Sequence, residues 1–217
     1  MNTLRAIPKN TTLSEKAYEV IREAIILNKI KPGEVLAEEP LARQLGISRT
    51  PIKAALRKLV FEQIARVNGK NNIEVSDVTE RDVGEMTEVR AVLEPLAVTR
   101  IPMPLAAGER NALQKICGRQ DLSIREQDGK GFIQNDFEFH TKIAGLSRND
   151  FLCEMVQRAN LTADRYLVLS GTLLKYMQIA DEEHWAVVNA LERGDREEAA
   201  EAMRSHVLNV SRRMLIR

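Results

Sequence analysis

From residue 79 to the end, the sequence predicts six helical segments of 17–23 residues, separated by five short breaks. The breaks contain residues that end helices, such as the prolines at 102 and 104 and the glycines at 171 and 194. Helices of similar length with short connections are typical of an antiparallel bundle, in which each helix buries its apolar face. The predicted helices span residues 79–101, 105–127, 130–146, 149–171, 176–193 and 195–216.

The first part of the chain is organised differently, with three shorter helical segments. Residues 13–28 have an apolar helical face, and Ser14 is a candidate N-cap. A second helix is predicted over residues 38–45, with Gly46 in the position that favours a left-handed C-cap. Ser48 is then a suitable N-cap for a third helix. Two helices joined by so short a turn are typical of a helix-turn-helix motif.

Residues 64–78 follow the third helix and predict two short strands around a polar turn. Three helices and a hairpin make a winged helix-turn-helix, which binds DNA. We therefore expect a mainly α protein. It comprises an N-terminal tail (1–12), a winged helix-turn-helix domain (13–76) and a C-terminal antiparallel bundle of about six helices (79–217).

The charge distribution agrees with a DNA-binding N-terminal part. Residues 1–75 contain 13 Lys and Arg against 8 Asp and Glu, whereas the rest contains 19 against 23. Cations and hydroxyl groups at a helix N-terminus suit phosphates and base edges in the major groove. The candidate DNA contacts are Ser48, Arg49, Thr50 and Lys53 at the start of the third helix and Lys70 at the hairpin tip. Taken alone, Ser48 to Pro51 is equally compatible with a simple capped helix start.

The chain has only three histidines, and each lies in a predicted helix of the C-terminal part. His140 follows Asp136 by four residues, so the two side chains share one helix face. Together with His184 and His206 they could form a site for a divalent transition metal, with zinc favoured and nickel, cobalt or manganese possible. Each histidine alone is compatible with a plain core position.

Three segments resemble a known family. LARQLGISRTPIKAALRKL resembles the signature of GntR-type regulators. EMTEVRAVLEPLAV and the stretch from His184 to His206 resemble the FCD-type effector domain of the FadR subgroup. The resemblance covers nearly the whole chain and implies a homodimer that binds a near-palindromic operator. It implies that Arg90 faces a small carboxylate effector beside the metal. An ion pair from Arg90 to Glu94 or Glu85 is the alternative.

Two departures from the family pattern affect DNA recognition. The recognition helix has Lys53-Ala54 where the family usually has Arg-Glu, and Lys is not equivalent to Arg at a bidentate contact. The wing keeps one of its usual two glycines, Gly69, although the asparagines that follow tolerate a positive φ. The sequence therefore predicts DNA binding without predicting the operator.

Other functions remain alternatives at this point. A metal-dependent enzyme would need a base, for which Glu138, Glu182 and Glu183 are candidates, but the chain has no HExxH, nucleophile elbow or phosphate loop. A DNA-binding protein with a purely structural metal is a third alternative. We expect no enzyme activity. The two isolated cysteines and the lack of a signal-peptide pattern or membrane span predict a cytoplasmic protein.

Overall fold

The computed structural model describes residues 12–215, and the chain divides into two compact units, Met1–Asp77 and Val78–Arg217. Apart from Thr12, the predicted N-terminal tail lies outside the described residues. Each unit has its own buried core, so each is described by itself.

The first unit is a three-helix fold with a two-stranded wing. Its elements are α1 (Leu13–Ile26), α2 (Glu38–Leu45), α3 (Arg49–Phe61), β1 (Ala65–Val67) and β2 (Ile73–Val75). The prediction that Ser14 caps α1 was wrong, because Thr12 accepts from the Glu15 amide and Glu15 bonds back to the Thr12 amide. Gly46 ends α2 at φ 65°, as the sequence predicts.

The wing is an antiparallel pair in which Arg66 lies opposite Glu74. The two side chains form an ion pair of 2.9 Å on the exposed face. At the tip, the left-handed position is Asn71, at φ 60°. The turn therefore needs no second glycine, because Asn adopts this conformation at small cost.

The second unit consists, within the described part of the chain, of six helices joined by short connections. They are α4 (Glu80–Thr99), α5 (Ala107–Arg125), α6 (Gly129–Leu146), α7 (Asp150–Ser170), α8 (Leu173–Arg193) and α9 (Arg196–Leu215). The mainly α fold class and six helices are as predicted. Helix α8 begins three residues earlier than expected, because the left-handed Gly171 ends α7 and leaves Leu173 free to start the next helix.

An apolar cluster including Phe139, Ile143, Val187 and Val207 forms the main core of this unit. Asp195 caps α9, accepting from the Glu198 amide at 2.8 Å, as the sequence predicts. None of the helices described is both long and apolar enough to cross a membrane. The bundle also buries polar side chains, among them Glu94, Asp136 and the three histidines.

Candidate metal and effector site

Three helices bring the histidines together inside the second unit. His140 lies on α6, His184 on α8 and His206 on α9, and each side chain is at most 1% exposed. One ligand nitrogen from each lies within 4.8 Å of the others. Asp136 lies one turn before His140, with carboxylate oxygens 3.8 Å from His140 Nε2 and 3.6 Å from His184 Nε2. The four side chains singled out from the sequence therefore converge on one place.

Each imidazole is oriented by an acceptor at its Nδ1. Glu94 Oε2 lies 2.5 Å from His140 Nδ1, and Gln120 Oε1 lies 3.0 Å from His184 Nδ1. Glu183 Oε2 lies 2.9 Å from the corresponding atom of His206. Since a carboxylate or amide oxygen only accepts, each Nδ1 donates its proton, and in a neutral ring Nε2 then carries the lone pair.

The Nε2 atoms of His184 and His206 lie 3.2 Å apart, and neither has a hydrogen to donate to the other. Two facing lone pairs repel in a buried site unless a cation lies between them. Ligand atoms about 2.0–2.1 Å from a tetrahedral zinc ion lie about 3.3–3.4 Å from one another. The donor set and its spacing thus fit a divalent transition metal, and hydrogen bonding through Nδ1 is the usual support for such ligands.

Glu94 and Arg90 form a buried ion pair on the wall of the site. Arg90 Nε donates to Glu94 Oε1 at 2.5 Å, and both side chains are at most 3% exposed. Burial raises the pKa of Glu94, but Arg90 and His140 outweigh it and hold that pKa below its usual value. The ion pair between Arg90 and Glu94, which the sequence offered as the alternative to effector binding, is therefore present. Its Nη2 also lies 3.4 Å from His140 Nε2, which places the guanidinium beside the site.

Glu183, on α8, bonds both to His206 and to a second charged group on α9, Arg213. Arg213 donates to both Glu183 oxygens, at 2.8 and 2.6 Å, and Asn209 donates to one at 3.0 Å. Burial raises the pKa of Glu183, but the bonds from Arg213 and His206 lower it to about 2. The carboxylate therefore stays ionised and keeps accepting from His206.

The environments of His184 and His206 favour neutral rings. Burial lowers the pKa of His184 well below the usual value, and the neighbouring His206 and His140 lower it further. Burial also lowers the pKa of His206, against the opposing effect of Glu183. Neutral imidazole is the form that binds metals.

A cavity extends from the histidines to an open mouth; it measures about 400 Å³ with the mouth included, of which about 20 Å³ can hold a water-sized group. Arg90, Asp136, His140 and His206 form one part of its lining. The remainder is mainly apolar and comes from α6, α7, α8 and α9. These residues are Phe132, Leu167, Leu173, Met177, Ala180 and Val210, with Tyr176 and Arg213. The enclosed space is about that of one water molecule, so a larger ligand would have to extend into the open mouth.

In the first unit, all five candidate DNA contacts are exposed at the start of α3 and the wing tip: Ser48, Arg49, Thr50, Lys53 and Lys70. Arg49 donates to Glu38 at 3.2 Å, with its side chain 67% exposed. An exposed ion pair is worth about 0–1 kcal/mol, so Arg49 can leave it for a phosphate or a base at little cost.

The sequence reasoning missed the groups that orient the rings. Glu94 was considered only as an ion-pair partner of Arg90, and Glu183 only as a possible catalytic base. Gln120 is on another helix, α5, and no spacing in the sequence links it to His184. Of the other suggested bases, Glu182 is exposed and Glu138 is an exposed partner of Arg119.

Comparisons with known proteins agree on one family. Residues 13–75 match the family model described as bacterial regulatory proteins, gntR family, and residues 85–209 match the FCD domain. The chain is 24% identical over 201 residues to the uncharacterized HTH-type transcriptional regulator YdhC of Bacillus subtilis, covering 92% of this chain and 90% of that protein. It is 28% identical over 150 residues to the gluconate operon transcriptional repressor of Bacillus licheniformis, covering 69% of this chain and 61% of that protein.

Among solved structures, Escherichia coli McbR/YncC superposes with a TM-score of 0.80 at 23% identity, covering 91% of this chain and 94% of that one. This likeness shows the fold, in agreement with the two family models. The chain belongs to the GntR family of bacterial regulatory proteins and is a DNA-binding transcription regulator of its FadR subgroup, with an FCD domain as its C-terminal unit.

Proposed function

We propose that a small organic acid, bound beside a divalent metal in the FCD domain, controls the affinity of this regulator for its operator. The observation that carries the proposal is the set of three buried histidines whose ligand nitrogens lie within 4.8 Å of one another, next to Asp136 and a cavity. The metal would be held by His140, His184, His206 and Asp136 and would supply a Lewis acid for a carboxylate oxygen. Zinc fits best, while nickel, cobalt and manganese are compatible.

Arg90 is the residue we propose for the effector itself. Its Nε is taken by Glu94, which fixes the plane of the guanidinium. Nη2 lies next to His140 Nε2, so an acid oxygen on the metal would lie within reach of this N–H group. Guanidinium groups bind carboxylates through charge-assisted hydrogen bonds. The ion pair with Glu94 thus holds Arg90 in place without using its whole donor set.

Control of DNA binding requires that the acid bind the free and the DNA-bound protein with different affinity. Residues 76–79 join the two units and are the proposed position of the change. We propose that the protein acts as a homodimer, which would present two recognition helices to a near-palindromic operator. The contacts with DNA would come from Ser48, Arg49, Thr50, Lys53 and Lys70. We propose a cytoplasmic location, because the protein acts on DNA.

A purely structural metal is the second candidate, because the buried histidines also suit a closed site. The open mouth of the cavity beside them favours the sensor, since a closed structural site needs no opening. A metal-dependent enzyme is less well supported. Glu183, the one suggested base that contacts a histidine of the site, is committed to His206 and Arg213.

The test uses DNA selected by the protein from a random duplex pool. The dissociation constant for this DNA is measured by fluorescence anisotropy with the metal-loaded protein across a panel of small acids. A shift of about fivefold or more with at least one acid, absent in the His184→Ala variant, would support the sensor. DNA affinity that is the same in every acid and metal state, together with unfolding on chelation, would favour the structural metal instead.

A further inference from the structure

An open groove between α5 and α8 shares no lining residue with the cavity at the histidines. Asp121 and Ile124 line it from α5, and Asp181 and Trp185 line it from α8. The two residues of each pair are three or four positions apart, so they lie on one helix face. The groove offers about 570 Å³ to water-sized groups, which is within the usual range for small-molecule sites.

Asp181 is a buried acid that the fold leaves incompletely partnered. It is 3% exposed, and its Oδ1 makes no hydrogen bond within the described part of the chain. Burial and the neighbouring Asp121 raise the pKa of Asp181 to about 7. Burial raises the pKa of the Cys117 thiol, and Asp181 and Asp121 raise it further, so the two carboxyl groups lie near the same buried atom. None of the ion pairs among the described residues involves either of these two acids.

The other charged residues of the lining leave the groove acidic. Arg125 Nε donates to the backbone oxygen of Asp121 at 3.3 Å, and its side chain is exposed. Glu182 adds a third carboxyl group, which accepts from Gln178 at 3.2 Å. The lining described thus has three carboxyl groups against one guanidinium. A cationic ligand is the complement of such a surface.

The apolar part of the lining favours an organic cation over a metal ion. Calcium and magnesium take six or more oxygen ligands, whereas Ile124 and Trp185 supply none. The half-buried indole of Trp185 lies beside the Asp181 carboxyl group. An ammonium group at an indole ring gains a cation–π interaction. A primary ammonium also has three N–H donors, which suit the free oxygen of Asp181 and the carboxyl group of Asp121.

We propose that this groove binds a small primary alkylammonium compound. Its ammonium group lies between Asp121 and Asp181, and its carbon chain lies against Ile124 and Trp185. The protein then has a second small-molecule site, which takes a cation and not an acid. Because the two sites share no lining residue, this inference does not depend on the proposed function.

Trp185 is the only tryptophan of the chain, so fluorotryptophan labelling gives one fluorine NMR signal, located in the groove. The full-length protein is titrated at pH 8 with butylammonium, ammonium, butanol and calcium as their simplest salts or solutions. This pH lies above the pKa of about 7 of Asp181, and an alkylammonium stays protonated there, as a lysine side chain does. We expect butylammonium to bind at least about tenfold more tightly than the other three, because butanol lacks the charge and the two inorganic cations lack the chain.

The Asp181→Asn variant keeps the size of the side chain and removes its charge. We expect it to weaken butylammonium binding by about tenfold or more. Asp121→Asn makes the same test if Asp181→Asn does not fold. Glu126→Gln is the matched control, since Glu126 is an exposed acid at the end of α5 that does not line the groove, and we expect it to bind butylammonium as the unmodified protein does.

Each contrary result overturns a different part of the proposal. No saturable shift of the Trp185 signal with butylammonium would remove the site. Calcium or ammonium binding as tightly as butylammonium would make it a site for inorganic cations, and butanol binding as tightly would remove the role of the charge. Unchanged butylammonium binding in both aspartate variants would overturn the placement of the ammonium group.

Discussion

Replacing Glu183 with glutamine tests whether the Nδ1 acceptors support metal binding. Glu183 accepts from His206 Nδ1 at 2.9 Å, and its charge is balanced by Arg213 at 2.6 Å. Glutamine keeps one acceptor oxygen but removes the charge, so the bond to His206 loses its charge-assisted part. Loss of such a partner typically lowers metal affinity 10–100-fold, which corresponds to about 1.4–2.7 kcal/mol.

The assay is competition for zinc between the protein and a chromophoric chelator. Glu182→Gln is the matched control, because Glu182 is the adjacent residue, is exposed and accepts only from Gln178 among the bonds described. Thermal melts of the metal-free proteins separate a loss of affinity from a loss of fold. Equal zinc affinity in the Glu183→Gln and Glu182→Gln variants would refute the argument that Glu183 supports the site through His206.

Three further predictions concern other parts of the chain. Lys70→Ala should weaken binding to all DNA sequences alike and reduce the slope of log affinity against log salt concentration by about 0.9. Fluorescence anisotropy at several salt concentrations measures this slope. A loss of affinity for some sequences only would show instead that Lys70 reads a base. Burial and the neighbouring Asp121 raise the pKa of Asp181 to about 7. The folded protein therefore holds this proton more tightly than the unfolded chain, so the stabilisation is complete below about pH 4 and is lost as the pH rises to 7. Asp181→Asn should raise the melting temperature at pH 8 more than at pH 5, and an equal change at both values would contradict this. Thr12→Ala should cost about 1 kcal/mol in chemical unfolding by removing the cap of α1, whereas Ser14→Ala should cost less.

The helices were predictable because their signals are local. Gly46 and Gly171 take the left-handed conformation that ends a helix, and Asp195 accepts from the first turn of α9. Where prediction failed, two local signals competed. Thr12 and Ser14 are both good caps, and the presence of Glu15 three residues after Thr12 decides between them.

The candidate site was only partly predictable. The spacing of Asp136 and His140 places both on one helix face, and the scarcity of histidine drew attention to His184 and His206. The ring-orienting groups depend on how helices cross. Glu183 is next to His184 in sequence but bonds to His206, because successive residues of a helix point in different directions.

The most direct test of the central claim is the metal content of the purified protein, measured by elemental analysis together with the absorption spectrum after cobalt substitution. The structure predicts about one equivalent of a divalent transition metal per chain and cobalt bands that report nitrogen ligands. It predicts loss of both in a His140→Ala, His184→Ala double variant that still folds. A folded protein that contains no metal, takes up no cobalt and gives the same result in the double variant would contradict the account.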